Sequence, residues 1–91
     1  MYFWYVYVLR SGKDYDFYIG STNNLKRRVR QHQCGENTST SKRRPLELLY
    51  FEGHRSKSDA LRREKYFKTT KGKVTLRQLM RNALENKSAK L

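Results

Sequence analysis

Apolar positions along this chain recur with two different periods. Residues 3–9, Phe-Trp-Tyr-Val-Tyr-Val-Leu, are almost all aromatic or β-branched, which predicts a strand. Its two-residue period puts Phe3, Tyr5, Tyr7 and Leu9 on one face and Trp4, Val6 and Val8 on the other. Ser11-Gly12-Lys13-Asp14 reads as a turn and residues 15–20 as a second strand, so a hairpin is the simplest link. If Gly12-Lys13 forms a two-residue turn, Tyr7 falls directly opposite Tyr18. Residues 46–52, Leu-Glu-Leu-Leu-Tyr-Phe-Glu, predict a third strand.

Between and after the strands the spacing becomes helical. Ser21-Thr22-Asn23-Asn24 is a cluster of N-cap residues, and a helix is expected from about Leu25 to His32, ending near Gly35. Residues 36–45 are polar and read as a mobile loop with room for one helical turn. Ser56 with Asp59 suggests a capping box for a helix over 57–70, with Gly72 as its stop. Thr75 with Gln78 suggests another, whose helix carries Leu76, Leu79, Met80, Ala83 and Leu84 on one stripe. The order β-β-α-loop-β-α-α implies an α+β domain, a small three-stranded antiparallel sheet flanked by helices. It is expected to occupy residues 1–86, with a frayed tail at 87–91.

Some polar residues break the apolar stripes. In the first helix Leu25 and Val29 mark the buried side, and Arg28 and His32 project beside it, at i+3 and i+7 from Leu25. In the second long helix Ala60, Leu61 and Phe67 define the apolar face, with Glu64 in its middle. A carboxylate there is costly unless paired or bound to a cation. A salt bridge to Arg28 or another base and a metal or catalytic role are both open. Five of the seven tyrosines lie in the first hairpin, where packing with a wet hydroxyl and stacking on unpaired bases are competing readings.

Charge narrows the partner. Twenty-one Lys and Arg face eight Asp and Glu, a formal charge of +13 in 91 residues. Such an excess costs self-repulsion and is best explained by a polyanion, nucleic acid first. A merely solubilising basic surface is the plainer alternative. No apolar run approaches the roughly 20 residues that cross a bilayer, no segment suits insertion at a membrane surface, and Tyr2 to Leu9 lacks the marks of a signal peptide. A cytoplasmic location is therefore expected. The lone Cys34 rules out an internal disulfide and cysteine-rich zinc sites.

Tyr18-Ile19-Gly20, about ten residues after Tyr5-Val6-Tyr7, resembles the pair of motifs that names the GIY-YIG nucleases. The match runs on. Residues 18–32 resemble the family's second strand and first helix, with Arg28 at the place of the catalytic arginine. Residues 58–68 resemble the helix that supplies its single metal-binding glutamate, here Glu64, and Arg43-Arg44-Pro45-Leu46-Glu47-Leu48 the entry to the third strand in small stand-alone bacterial members. The likeness spans most of residues 4–85 and extends to the nuclease domain of the bacterial excinuclease incision subunit. The first motif lacks its glycine, and neither Asn82 nor Asn86 matches the family's C-terminal asparagine.

The resemblance implies a metal-dependent endonuclease. Glu64 would bind one Mg²⁺ or Mn²⁺, Arg28 would hold a phosphate oxygen, and Tyr7 and Tyr18 would position the attacking water. Tyr7 would be the general base if nearby positive charge lowers its pKa, with His32 as an alternative proton carrier. Lys26, Arg27, Arg30, Lys42, Arg43 and Arg44 are candidates for phosphate contacts, which carry no base information, so preference by shape is expected. The expected substrate is DNA, branched or single-stranded, in repair or recombination, with RNA left open and a partner protein as one source of specificity. The rival readings are a non-catalytic nucleic-acid-binding module and a basic structural protein.

Overall fold

The computed structural model describes residues 2–85. Three strands, β1 (Trp4–Ser11), β2 (Phe17–Thr22) and β3 (Leu46–His54), form an antiparallel sheet in the order β2-β1-β3. The helices are α1 (Leu25–Gln33), α2 (Lys57–Phe67), α3 (Thr70–Leu79) and the short α4 (Arg81–Glu85). The α+β architecture matches the expectation. The proposed tail, 87–91, lies outside the described residues.

The two faces of β1 build two apolar clusters, as its alternation requires. Val6 and Val8 join Ile19, Ala60, Phe67, Leu76 and Met80 beneath α2 and α3. Tyr7 and Leu9 join Leu46 on the opposite face, where Leu25 and Val29 of α1 pack. Each fully buried aliphatic or aromatic side chain contributes about 1.5–3 kcal/mol, so the double-sided burial of β1 makes it the axis of the fold.

The hairpin register differs from the expected one. Tyr7 pairs with Gly20, and Tyr18 pairs with Leu9. Pairing stops at Arg10 and Phe17, so the connection is wider than a two-residue turn. Buried Ser11 explains the difference. Its hydroxyl accepts the amides of Lys13 (3.0 Å) and Asp14 (3.2 Å) and donates to the Arg43 carbonyl (2.6 Å), while Tyr15 takes a left-handed φ of 61°. The Gly12 amide is spent on the Pro45 carbonyl at 2.7 Å rather than on a tight turn. A shift of two residues keeps every side chain on its expected face.

The helix boundaries also need correction. Asn24 caps α1, its side chain accepting from the Arg27 amide, and Gly35 beyond the helix has φ 81°. Ser56 precedes α2, but its side chain makes no capping bond, and Asp59 pairs with Arg62 instead. The next cap is Thr69, whose hydroxyl accepts from the Gly72 amide at 3.0 Å. Gly72 is therefore inside α3 and not a stop, and Thr75 is a mid-helix residue bonded to the Tyr66 hydroxyl at 2.7 Å. α3 ends at Leu79 and α4 starts at Arg81, so the anticipated single stripe is divided: Leu76 and Met80 are buried and Leu84 packs on the same core, whereas Leu79 and Ala83 are exposed. Leu61 is exposed as well. No described helix is long and apolar enough to cross a membrane.

Gly72 earns its place by contact. A Cβ added there would collide with the Tyr66 carbonyl oxygen, in the corner between α2 and α3. Gly72→Ala must push backbone apart and is expected to lower unfolding free energy by about 1–3 kcal/mol in urea titration. Lys71→Ala, on the exposed neighbouring position, should stay within about 0.5 kcal/mol of the parent.

Candidate active site

Tyr7 lies fully buried at the centre of the sheet, and its hydroxyl meets His32 Nε2 at 2.9 Å. The opposing strand makes room for it with Gly20, where an added Cβ would come within 2.6 Å of the Tyr7 oxygen. The glycine of Tyr18-Ile19-Gly20 is thus a space for a tyrosine hydroxyl, a role the sequence motif did not disclose. Tyr18 flanks the pair, its ring 5.0 Å from the His32 ring and 6.4 Å from that of Tyr7.

His32 is buried, not merely beside the apolar stripe of α1. Its Nδ1 lies 2.7 Å from the hydroxyl of Thr40, also buried. Both ring nitrogens are therefore occupied, and the Thr40 hydroxyl helps to choose the tautomer. Thr40 was missed from the sequence because it sits in the polar 36–45 segment with no periodicity. That segment carries one turn of 3₁₀ helix, Ser41–Arg43, and is anchored to the sheet through Ser11 and Gly12.

Arg28 is half-buried at the edge of α1, as its spacing implied, and its Nε donates to Gln31 Oε1 at 3.2 Å. Its positive charge reaches the buried pair. Burial first, and Arg28 second, holds the His32 pKa below its usual value. Burial, and then the neighbouring Tyr18, pushes the Tyr7 pKa up to about 12, although Arg28 pulls the other way. The expected lowering of the Tyr7 pKa is thus overturned, because desolvation of a buried phenolate outweighs the nearby guanidinium.

Glu64 reaches the site from α2, on the other side of the sheet. Ser21, next to Gly20, donates its hydroxyl to Glu64 Oε1 at 2.6 Å. Lys68, one turn along α2, places its ammonium 2.8 Å from Oε2. The base that pairs with Glu64 is thus Lys68 and not Arg28. Ser21 was read as a possible helix cap; its strand position sends it instead to the face of Ile19 and α2. No cluster of three or more His, Cys, Asp or Glu side chains suited to a metal occurs among the described residues. A lone carboxylate, 19% exposed, fits one hard cation only if water and phosphate oxygens fill its remaining positions.

The basic candidates divide by location. Lys26, Arg27 and Arg30 are exposed on α1, and Arg27 lines a small cavity with Arg28, Gln31, Asn23 and Asn24. Lys42 is exposed, Arg43 is held by Asp14 at 3.2 Å, and Arg44 donates to the Ser41 carbonyl while leaning on Gly35. The second trio is therefore partly committed to anchoring its own segment.

Comparison with known proteins decides the family. The profile of the GIY-YIG catalytic domain matches residues 3–78. This chain belongs to the GIY-YIG family. It is 48% identical over 68 residues to a UPF0213 protein of Limosilactobacillus reuteri, covering 71% of this chain and 70% of that one. It is 38% identical over 84 residues to the UPF0213 protein YazA of Bacillus subtilis, covering 89% and 84%. The solution NMR structure of the UPF0213 protein BH0048 from Bacillus halodurans superposes with a TM-score of 0.54 at 33% identity, covering 87% of this GIY-YIG chain and 85% of that one.

The buried histidine generates a pH prediction. With its folded pKa below the unfolded value of about 6.5, the unfolded chain takes up the proton first. Stability from neutral His32 is therefore full above about pH 6.5 and declines as the pH falls toward the folded pKa. NMR titration should place the His32 ring below about 6.5, and His32→Gln should flatten the change in urea midpoint between about pH 7 and pH 5.

Proposed function

We propose that this protein is a metal-dependent endonuclease that hydrolyses phosphodiester bonds in DNA, directed by the shape of the substrate and serving repair or recombination. The observation that carries this reading is the convergence of Tyr7, Tyr18, Arg28 and His32 around Gly20, with Glu64 held by the adjacent Ser21. These side chains come from two strands and two helices, and core packing alone does not require an arginine and a glutamate at one strand end.

Phosphodiester hydrolysis needs an activated water, charge stabilisation on phosphate and help for the leaving oxygen. Arg28 binds a non-bridging phosphate oxygen through its planar fork of donors. Tyr18 helps to position the water. Because Tyr7 is held neutral, it acts with His32 rather than as a free phenolate: neutral His32 takes the Tyr7 proton at Nε2 as the tyrosine oxygen takes one from a water that substrate binding must first admit, since Tyr7 is fully buried in the free protein. This route uses the tautomer in which Nδ1–H donates to Thr40 Oγ1. Glu64, with Ser21 fixing one of its oxygens, would hold a single Mg²⁺ or Mn²⁺. When bound, that ion neutralises charge on the phosphate and the leaving 3′ oxygen. Lys26, Arg27 and Arg30 are free to meet the backbone on either flank of α1.

One observation favours a second reading, a nucleic-acid-binding module that does not cut. The Lys68 ammonium sits on Glu64 where a cation would be needed. Lys68 is 54% exposed, and an exposed ion pair is worth only about 0–1 kcal/mol, so phosphate and a divalent ion can displace it.

Nicking of supercoiled plasmid and of a branched oligonucleotide separates the two readings. The expected result is cutting that requires Mg²⁺ or Mn²⁺ and stops with chelator. Arg28→Ala and Glu64→Ala should each reduce it by roughly 100- to 1,000-fold while the folded circular-dichroism spectrum persists. Tight binding without cutting on any substrate would give the protein to the binding-module reading. Full activity in Glu64→Ala would sink the metal assignment.

A further inference from the structure

The face of the sheet that carries Tyr7 is only partly covered. Helix α1 packs on Leu9, Leu46 and Leu48 but leaves the Tyr5 and Phe51 end open. Phe51 lies across from Tyr7 in the register and is 51% exposed. The ring of Tyr5 stands edge-on to it, with centroids 6.1 Å apart and planes at 67°. Together with Leu25, Val29 and Leu48 these rings wall a cavity of about 740 Å³. That is within the roughly 300–1,000 Å³ usual for small-molecule sites.

The rim has one sign of charge. Lys26 and Arg30, both exposed, flank the apolar wall, and no carboxylate is among the described residues that line it. The cavity also adjoins the Arg28 side of the candidate active site. Asn23 and Asn24, at the start of α1, line both this cavity and the smaller one that contains Arg27 and Arg28. A strand whose phosphate rests on Arg28 can therefore cross the start of α1 and enter an apolar, aromatic recess with basic residues at its lip.

We propose that this recess is a subsite for an unpaired base of the DNA strand being cut, which stacks on Phe51 and Tyr5 while Lys26 and Arg30 hold the adjoining phosphates. Base stacking on aromatic side chains combined with a positive groove is the general means of binding single strands. The apolar wall suits deoxyribose, which brings no 2′-hydroxyl to be desolvated. The inference rests on the reading of the protein as one that acts on DNA, and it narrows the preferred substrate to one with an unpaired nucleotide beside the cut phosphate.

The test measures binding in chelator, so it does not depend on catalysis. Single-stranded DNA carrying 2-aminopurine at successive positions is titrated with the protein, and fluorescence is read beside affinity. One position should be quenched by stacking. Phe51→Ala should abolish that quenching and weaken binding by roughly 5- to 100-fold, while Phe51→Tyr retains both. Arg30→Gln should weaken binding and lower its salt dependence. Phe51 is half-exposed, and matching thermal unfolding of the variants guards against a folding artefact. Unchanged quenching and affinity in Phe51→Ala would overturn the subsite. So would tighter binding of the same sequence as RNA, or a parent dimer in sedimentation that Phe51→Ala dissociates. Cutting of the plasmid and of the branched oligonucleotide, run in parallel, keeps the two proposals apart: quenching without cutting of any substrate sinks the nuclease and spares the subsite, and cutting without the quenching change does the reverse.

Discussion

In the free protein the Tyr7 hydroxyl is closed off from solvent and must find its partner inside, and it finds His32. That bond ties the central strand to α1, and the next one, from His32 to Thr40, ties α1 to the long polar segment. Gly20 across the strand pair leaves the space the hydroxyl needs. Remove Tyr7, His32 or Thr40 and a buried polar group is stranded, at about 1–3 kcal/mol. The arrangement of α1, and with it the placing of Arg28, follows from satisfying this one oxygen.

The strongly basic composition is tolerated because the few carboxylates are spent where repulsion would otherwise be worst. Glu52, largely buried, accepts from Arg63 at 2.7 Å, His54 at 3.0 Å and the Tyr50 hydroxyl at 2.7 Å, and joins β3 to α2. Burial alone would raise its pKa, but these donors overcome that and hold its carboxyl below the usual range. Aromatic faces take up cations as well: Lys57 lies 4.9 Å from the Trp4 ring and Arg77 5.1 Å from Phe17, and Arg63, already on Glu52, lies 4.4 Å from Phe67. On α1 the basic residues Lys26, Arg27 and Arg30 are left exposed. Part of the surplus of positive charge therefore faces outward on the helix that carries Arg28.

Much of this was legible in the chain itself, and what was not has physical causes. The alternation of residues 3–9 told both faces of β1 correctly because side-chain direction in a strand is a local property. Arg28 at the edge of one apolar stripe and Glu64 in the middle of another were conspicuous, and both come within electrostatic reach of Tyr7. Thr75 and Gly72 misled because a hydroxyl and a glycine have more than one use; here they serve a mid-helix bond and a close backbone approach, settled only when α3 meets α2. The hairpin register turned on the Ser11 hydroxyl, whose partner Arg43 lies far along the chain. Ser21 was misread for the same reason, its partner Glu64 lying on α2; Thr40 is near His32 in sequence but sits in a segment without periodicity, and the high Tyr7 pKa is a consequence of burial, which no local pattern expresses.

The placing of β1 in the middle of the sheet has a consequence for the birth of the molecule. A ribosome delivers the N-terminal end first. Tyr7, Tyr18, Arg28 and His32 thus emerge early, yet one flank of β1 lies bare until β3 arrives, and Glu64 comes later still on α2. The constellation is incomplete at every point of synthesis before that helix docks.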